Sequence, residues 1–119
     1  MSKIMLAEDD ATMLSLLQTL LQLEGFETVS LKATDDVLDT IRRESPDAVL
    51  MDIHLEQGSG LDFLQKIRAS EDIKKTVVVM SSGMNLATEC RAAGANDFLM
   101  KPYMPDDLIR MLKMNIPVS

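Results

Sequence analysis

Residues 48–53 read Ala48-Val49-Leu50-Met51-Asp52-Ile53, an apolar run of strand length broken only by a carboxylate near its end. A run that is apolar at both odd and even positions has no face to give to water. It predicts a strand covered on both sides of its sheet. Runs of the same kind recur at residues 4–7, 28–31, 76–80 and 97–100. Between them lie stretches with helical spacing. Met13, Leu16, Leu17 and Leu20 follow Asp10 at intervals of three and four, with Gly25 as the stop. Thr34 is the expected N-cap of a second helix through Val37, Leu38 and Ile41, ended by Pro46. A third starts near Gly60 with Leu61, Leu64 and Ile67, and a fourth spans residues 86–93, with Leu86, Cys90 and Ala93 on one face. Pro105 opens a fifth, with Asp106 and Asp107 in its first turn and Leu108, Met111 and Leu112 as its stripe. Each strand is followed by a helix. Right-handed crossovers then give an α/β fold, a three-layer sandwich around a parallel sheet.

The composition narrows the chemistry. The chain has 119 residues, with 19 acidic and 12 basic side chains and a formal net charge of -7. That length fits one domain, which buries roughly two-thirds of its unfolded surface and needs no staple. The acidic balance opposes direct nucleic-acid binding, which calls for a basic patch. One cysteine, Cys90, and one histidine, His54, exclude a disulfide framework, a multi-cysteine zinc site and a histidine-pair metal site. The carboxylates that remain suit a hard, oxygen-loving cation. No stretch approaches the roughly 18–20 apolar residues of a membrane span, and the N-terminus lacks the form of a signal peptide. The expectation is a cytoplasmic protein with Cys90 as a free, core thiol.

Ligands of open α/β sheets bind outside the carboxyl ends of the strands. There the first strand ends in Glu8-Asp9-Asp10, the third in Asp52, the fourth in Ser81-Ser82-Gly83 and the fifth in Lys101-Pro102. Such a set suits phosphoryl transfer. Crowded carboxylates can share Mg²⁺, and one can attack phosphorus to give an acyl phosphate. A hydroxyl and an ammonium can hold the equatorial oxygens as charge develops on them.

Four segments carry a resemblance to a known family. They are Met5-Leu6-Ala7-Glu8-Asp9-Asp10; Leu50-Met51-Asp52-Ile53-His54-Leu55 with Gly60 eight residues after Asp52; Val79-Met80-Ser81-Ser82-Gly83; and Gly94-Ala95-Asn96-Asp97-Phe98-Leu99-Met100-Lys101-Pro102-Tyr103. In this order they resemble the CheY-like receiver domain of bacterial two-component response regulators. The resemblance runs over nearly the whole chain and implies strand order 2-1-3-4-5. It implies Asp52 as phosphoacceptor and a Mg²⁺ site of Glu8 (directly or through a water), Asp9, Asp52 and the main-chain carbonyl of His54. It gives Ser81 and Lys101 as phosphoryl-binding groups, Lys101-Pro102 as a cis peptide and Phe98 as the aromatic switch that follows Ser81. His54 and Gly83 would tune the lifetime of the acyl phosphate, with His54 as a plain loop residue the even alternative. The implied phosphoryl donor is a sensor histidine kinase or phosphotransfer protein. The implied assemblies are an effector or output domain and a phosphorylation-dependent dimer, with no membrane partner.

The chain departs from the family pattern at three places. Glu56 stands where the family usually has proline, which predicts a looser loop and an extra negative charge. Ser81 to Gly94 is about two residues short, which predicts a clipped fourth helix or leading loop. Met104 is a poor N-cap for the last helix. Met51, Met80 and Met100, each preceding a site residue, are expected as pliable packing beneath the site.

The domain is expected over residues 1–115, with 116–119 a tail or the start of a linker; a stand-alone receiver and a piece of a longer protein both remain open. Two rivals stand beside the switched receiver. A Mg²⁺-dependent aspartyl phosphatase needs an acid two residues beyond its nucleophile, where this chain has His54. A degenerate receiver would act as a phosphorylation-independent interaction module, against which the complete acid, aspartate, serine and lysine set argues.

Overall fold

The computed structural model describes residues 2–117. Met1, Val118 and Ser119 lie outside the described residues, so the expected tail over 116–119 is seen only in its first two. Five parallel strands build the main sheet: β1 (Lys3–Ala7), β2 (Glu27–Ser30), β3 (Ala48–Asp52), β6 (Val77–Ser82) and β7 (Asp97–Met100). Their order, β2-β1-β3-β6-β7, is the expected 2-1-3-4-5 once only the main strands are counted. The helices are α1 (Ala11–Leu23), α2 (Val37–Glu44), α3 (Gly60–Ala69), α4 (Ala87–Ala92) and α5 (Pro105–Asn115). Two further strands, β4 (His54–Leu55) and β5 (Gly58–Ser59), pair antiparallel directly after β3.

Two cores cover the two faces of the sheet. Met5, Ala7, Val49, Met51, Val78, Met80 and Phe98 face Val37 and Ile41 of α2, Leu64 and Ile67 of α3, and Cys90 of α4. Ile4, Leu6, Ala48, Leu50, Val77, Val79 and Leu99 face Leu17 and Leu21 of α1 and Leu108 and Leu112 of α5. This is the three-layer sandwich, and the strict alternation of side chains along each strand assigns every residue to a face.

That alternation positions the site. Glu8 continues the phase of Ile4 and Leu6, Asp52 that of Ala48 and Leu50, Ser81 that of Val77 and Val79, and Lys101 that of Leu99. All four therefore leave the sheet toward the α1/α5 side. Ser82 takes the opposite phase, and its hydroxyl accepts the Met84 N–H at 3.1 Å. Asp52 and Ser81 are direct partners in the β3–β6 register.

Some local expectations need correction. The N-cap of α2 is Asp36, not Thr34: its carboxylate accepts the Asp39 N–H at 2.9 Å. Thr34 lies instead in a turn where Asp35 accepts the Lys32 N–H at 2.9 Å. Met100 is 51 % exposed, while Met51 and Met80 are fully buried. It shares the phase of Phe98 at an edge strand, where the six-residue α4 does not cover it. The short α4 is the clipped element that the sequence predicts, and Met104 caps α5 with no side-chain hydrogen bond. Among the described residues no helix is long and apolar enough to cross a membrane.

Candidate phosphoryl-transfer site

Lys101 is the hub of the carboxyl rim. Its Nζ lies 2.7 Å from Glu8 Oε1 and 2.7 Å from Asp52 Oδ2. The peptide bond Lys101-Pro102 is cis, as expected, and the Lys101 N–H donates to the Ser82 carbonyl at 2.8 Å. The second oxygen of Asp52, Oδ1, accepts the His54 N–H at 3.1 Å. Gly60 approaches from beneath, its N–H donating to the Ile53 carbonyl at 2.7 Å. Ile53 in turn donates to the Ser81 carbonyl at 3.0 Å, which locks the end of β3 onto β6.

The buried triad separates its carboxyls electrostatically. Burial pushes the Glu8 carboxyl up, and neighbouring Asp52 adds to this against the pull of Lys101. Asp52 goes the other way. Burial raises it, but the Lys101 ammonium, a hydrogen bond with Glu8 and the His54 N–H together hold it below the usual carboxylate range. Burial opposes the charge on Lys101, yet the two carboxylates outweigh it and raise its pKa. Asp52 is thus the more readily ionised of the two carboxyls, and Glu8 the one that holds a proton more readily. Beside them burial pushes the Tyr103 phenol up to about 12, so it stays neutral.

The other expected residues fall around this hub. Ser81 is buried and pairs with Asp52 in the β3–β6 register, while Ser82 takes the opposite phase. Phe98 is buried in the core shared with Cys90. His54 is exposed at the start of β4, and Gly83 is exposed with open space where a side chain would stand.

Asp9 has a main-chain partner. Its Oδ2 accepts the Glu56 N–H at 2.8 Å. Among the described residues no group of three or more acidic, histidine or cysteine side chains is gathered to hold a metal ion. Lys101 stands between two of the three expected carboxylates, and Glu56 restrains the third. The donor chemistry still fits Mg²⁺: the acceptors on the rim are hard carboxylate and carbonyl oxygens, and their crowding favours positive charge, which Lys101 supplies in part. The Glu56 loop closes as the β4–β5 hairpin, and Gln57 Nε2 donates to the Lys32 carbonyl at 2.7 Å. The amide of Glu56 is the site contact that sequence reasoning missed; its signal was the absence of proline.

Comparison with known proteins bears on the same rim. The response regulator receiver domain family matches residues 4–113. The chain belongs to that family. The receiver is 26% identical over 114 residues to the DNA-binding response regulator MtrA of Mycobacterium tuberculosis, covering 96% of this chain and 50% of that protein. It thus spans about half the length of the MtrA relatives it matches. The N-terminal signal receiver domain of a two-component response regulator from Bacteroides fragilis superposes with a TM-score of 0.83 at 26% identity, covering 100% of this chain and 99% of that one. The receiver domain of sensor histidine kinase PA1611 from Pseudomonas aeruginosa superposes with a TM-score of 0.80 at 26% identity, covering 97% of each chain. That structure has a magnesium ion coordinated in the active-site cleft.

Proposed function

We propose that Asp52 accepts a phosphoryl group from a phosphohistidine of a sensor kinase or phosphotransfer protein. The observation that carries this reading is the 2.7 Å contact of Lys101 Nζ with Asp52 Oδ2, which holds the carboxylate ionised at the strand ends beside Ser81. An Asp52 oxygen attacks phosphorus, the P–N bond breaks, and the departing imidazole takes up a proton. Asp9, Asp52 and the His54 carbonyl, with Glu8 directly or through a water, would hold Mg²⁺, which would supply neutralising charge for that transfer. Lys101 then exchanges Asp52 Oδ2 for a phosphoryl oxygen, Glu8 keeps its hold on the ammonium, and the Ser81 hydroxyl binds a second phosphoryl oxygen.

Movement of Ser81 frees space for the Phe98 ring, and the surface of α4, β7 and α5 changes for a partner or a second copy. Water later cleaves the acyl phosphate, with His54 and Gly83 governing its approach. The receiver occupies residues 1–115, with Ile116 still buried in its α1/α5 core, and it works in the cytoplasm. The net charge of -7 opposes nucleic-acid contact by this domain itself.

Beryllofluoride with Mg²⁺ tests the reading. The wild type should gain thermal stability, with NMR shifts at Ser81 and Phe98, while Asp52→Asn should not respond. Equal silence in both proteins would leave the phosphorylation-independent interaction module as the better description.

A further inference from the structure

We infer that the main-chain N–H of Glu56 is a built-in competitor of the divalent cation for Asp9, so residue 56 sets the metal affinity of the site. This rests on the phosphoacceptor reading above. The contact joins two turns that are 47 residues apart: Asp9 follows β1, and Glu56 is the first loop residue of the β4–β5 hairpin. Asp10 beside it is committed elsewhere, since its Oδ1 caps α1 through the Met13 N–H at 3.0 Å. Asp9 is therefore the exposed carboxylate of the acidic turn that caps no helix. The 2.8 Å bond from Glu56 holds one of its oxygens. A cation that takes this carboxylate must displace a charge-assisted hydrogen bond or accept a carboxylate fixed in orientation.

The competitor exists only because residue 56 carries an N–H, which proline lacks. The backbone itself would admit proline. Leu55 pairs with Gly58, so Glu56 and Gln57 form a two-residue turn. Ser45 is the sole non-glycine residue with positive φ among those described, so neither turn residue is left-handed. Proline suits the first central position of such a turn, and Leu55 is already extended, as the residue before proline must be.

The test compares Glu56→Pro with Glu56→Gln in the full chain by Mg²⁺ titration. Both variants lose the same side-chain charge, and only one loses the N–H. Glu56→Pro should bind Mg²⁺ about tenfold more tightly than Glu56→Gln. In the wild type, Mg²⁺ should release the Glu56 amide proton from its hydrogen bond, seen by NMR as a steeper temperature coefficient. Equal affinities in the two folded variants overturn the inference and leave the phosphoacceptor reading intact. If Glu56→Pro fails to fold, an unchanged Glu56 amide at Mg²⁺ saturation overturns it instead. A wild type blind to Mg²⁺ sinks both this inference and the metal-dependent reading beneath it.

Discussion

Gly60 shows how one atom can govern the position of Asp52. A Cβ built there would lie 2.4 Å from the Asp52 carbonyl oxygen and 2.9 Å from Ile53 Cα. Both are backbone atoms, so relief requires moving the end of β3. The demand is for space, since the φ of Gly60 is not positive. Gly60→Ala should therefore lose about 2–3 kcal/mol, the scale of an overpacked core. Urea unfolding with an unchanged m-value, together with displaced Asp52 and His54 amide resonances, checks this. The sequence marks Gly60 as a helix start at a fixed distance from Asp52, but not the reason for it. The close approach depends on how α3 crosses the end of β3, and no local pattern encodes that. Asp9 is a similar case. Its place on the rim is legible, while its partner is a main-chain amide whose position depends on a hairpin formed far along the chain.

At the scale of elements, legibility follows local signal strength. The strands and the helical stripes were readable because each is apolar in phase with its own geometry. The β4–β5 hairpin was not: its strands have two residues each, and Glu56-Gln57 carries none of the usual turn signals. Helix ends sit between these extremes. Asp10 and Asp36 both cap through their carboxylates, whereas the sequence pointed to Thr34 for α2. At its other end Pro46 marks the stop, but the reversal is made by Ser45, at φ 48° and ψ 54°. A left-handed conformation costs an L-residue about 1–2 kcal/mol, and glycine almost nothing. The Ser45 hydroxyl offsets little, since it donates to the Arg42 carbonyl only at a long 3.4 Å. Ser45→Gly should raise stability by about 1 kcal/mol, reduced somewhat by the greater freedom of glycine in the unfolded chain. A higher urea midpoint in equilibrium unfolding is the expected result; a lower one would mean that the serine hydroxyl matters more than the backbone.

Across the whole molecule, the phase of four strands brings Glu8, Asp52, Ser81 and Lys101 to one face from sequence positions up to 93 residues apart. That convergence was legible, because strand alternation and the parallel order together fix it. The internal counter-ion was not, because whether Lys101 or a metal neutralises the carboxylates depends on side-chain reach rather than on pattern. Lys101 is therefore a stabilising element of the resting fold. Glu8, Asp52 and Lys101 have side-chain exposures of 5, 14 and 24 %. Removing the ammonium leaves two largely buried carboxyls facing each other. Breaking a buried pair costs about 3–5 kcal/mol, and the partial exposure of Lys101 brings its loss below that range, to about 2–3 kcal/mol. Lys101→Met should show that loss in metal-free urea unfolding. Lys101→Met combined with Asp52→Asn should recover part of it, because one of the stranded charges is gone. Added Mg²⁺ should stabilise Lys101→Met more than the wild type, since a cation binding only the folded form contributes in proportion to its affinity there. If Mg²⁺ stabilises both equally, the ammonium and the metal do not compete for the same carboxylates. The neutralisation would then be shared rather than exchanged during phosphoryl transfer.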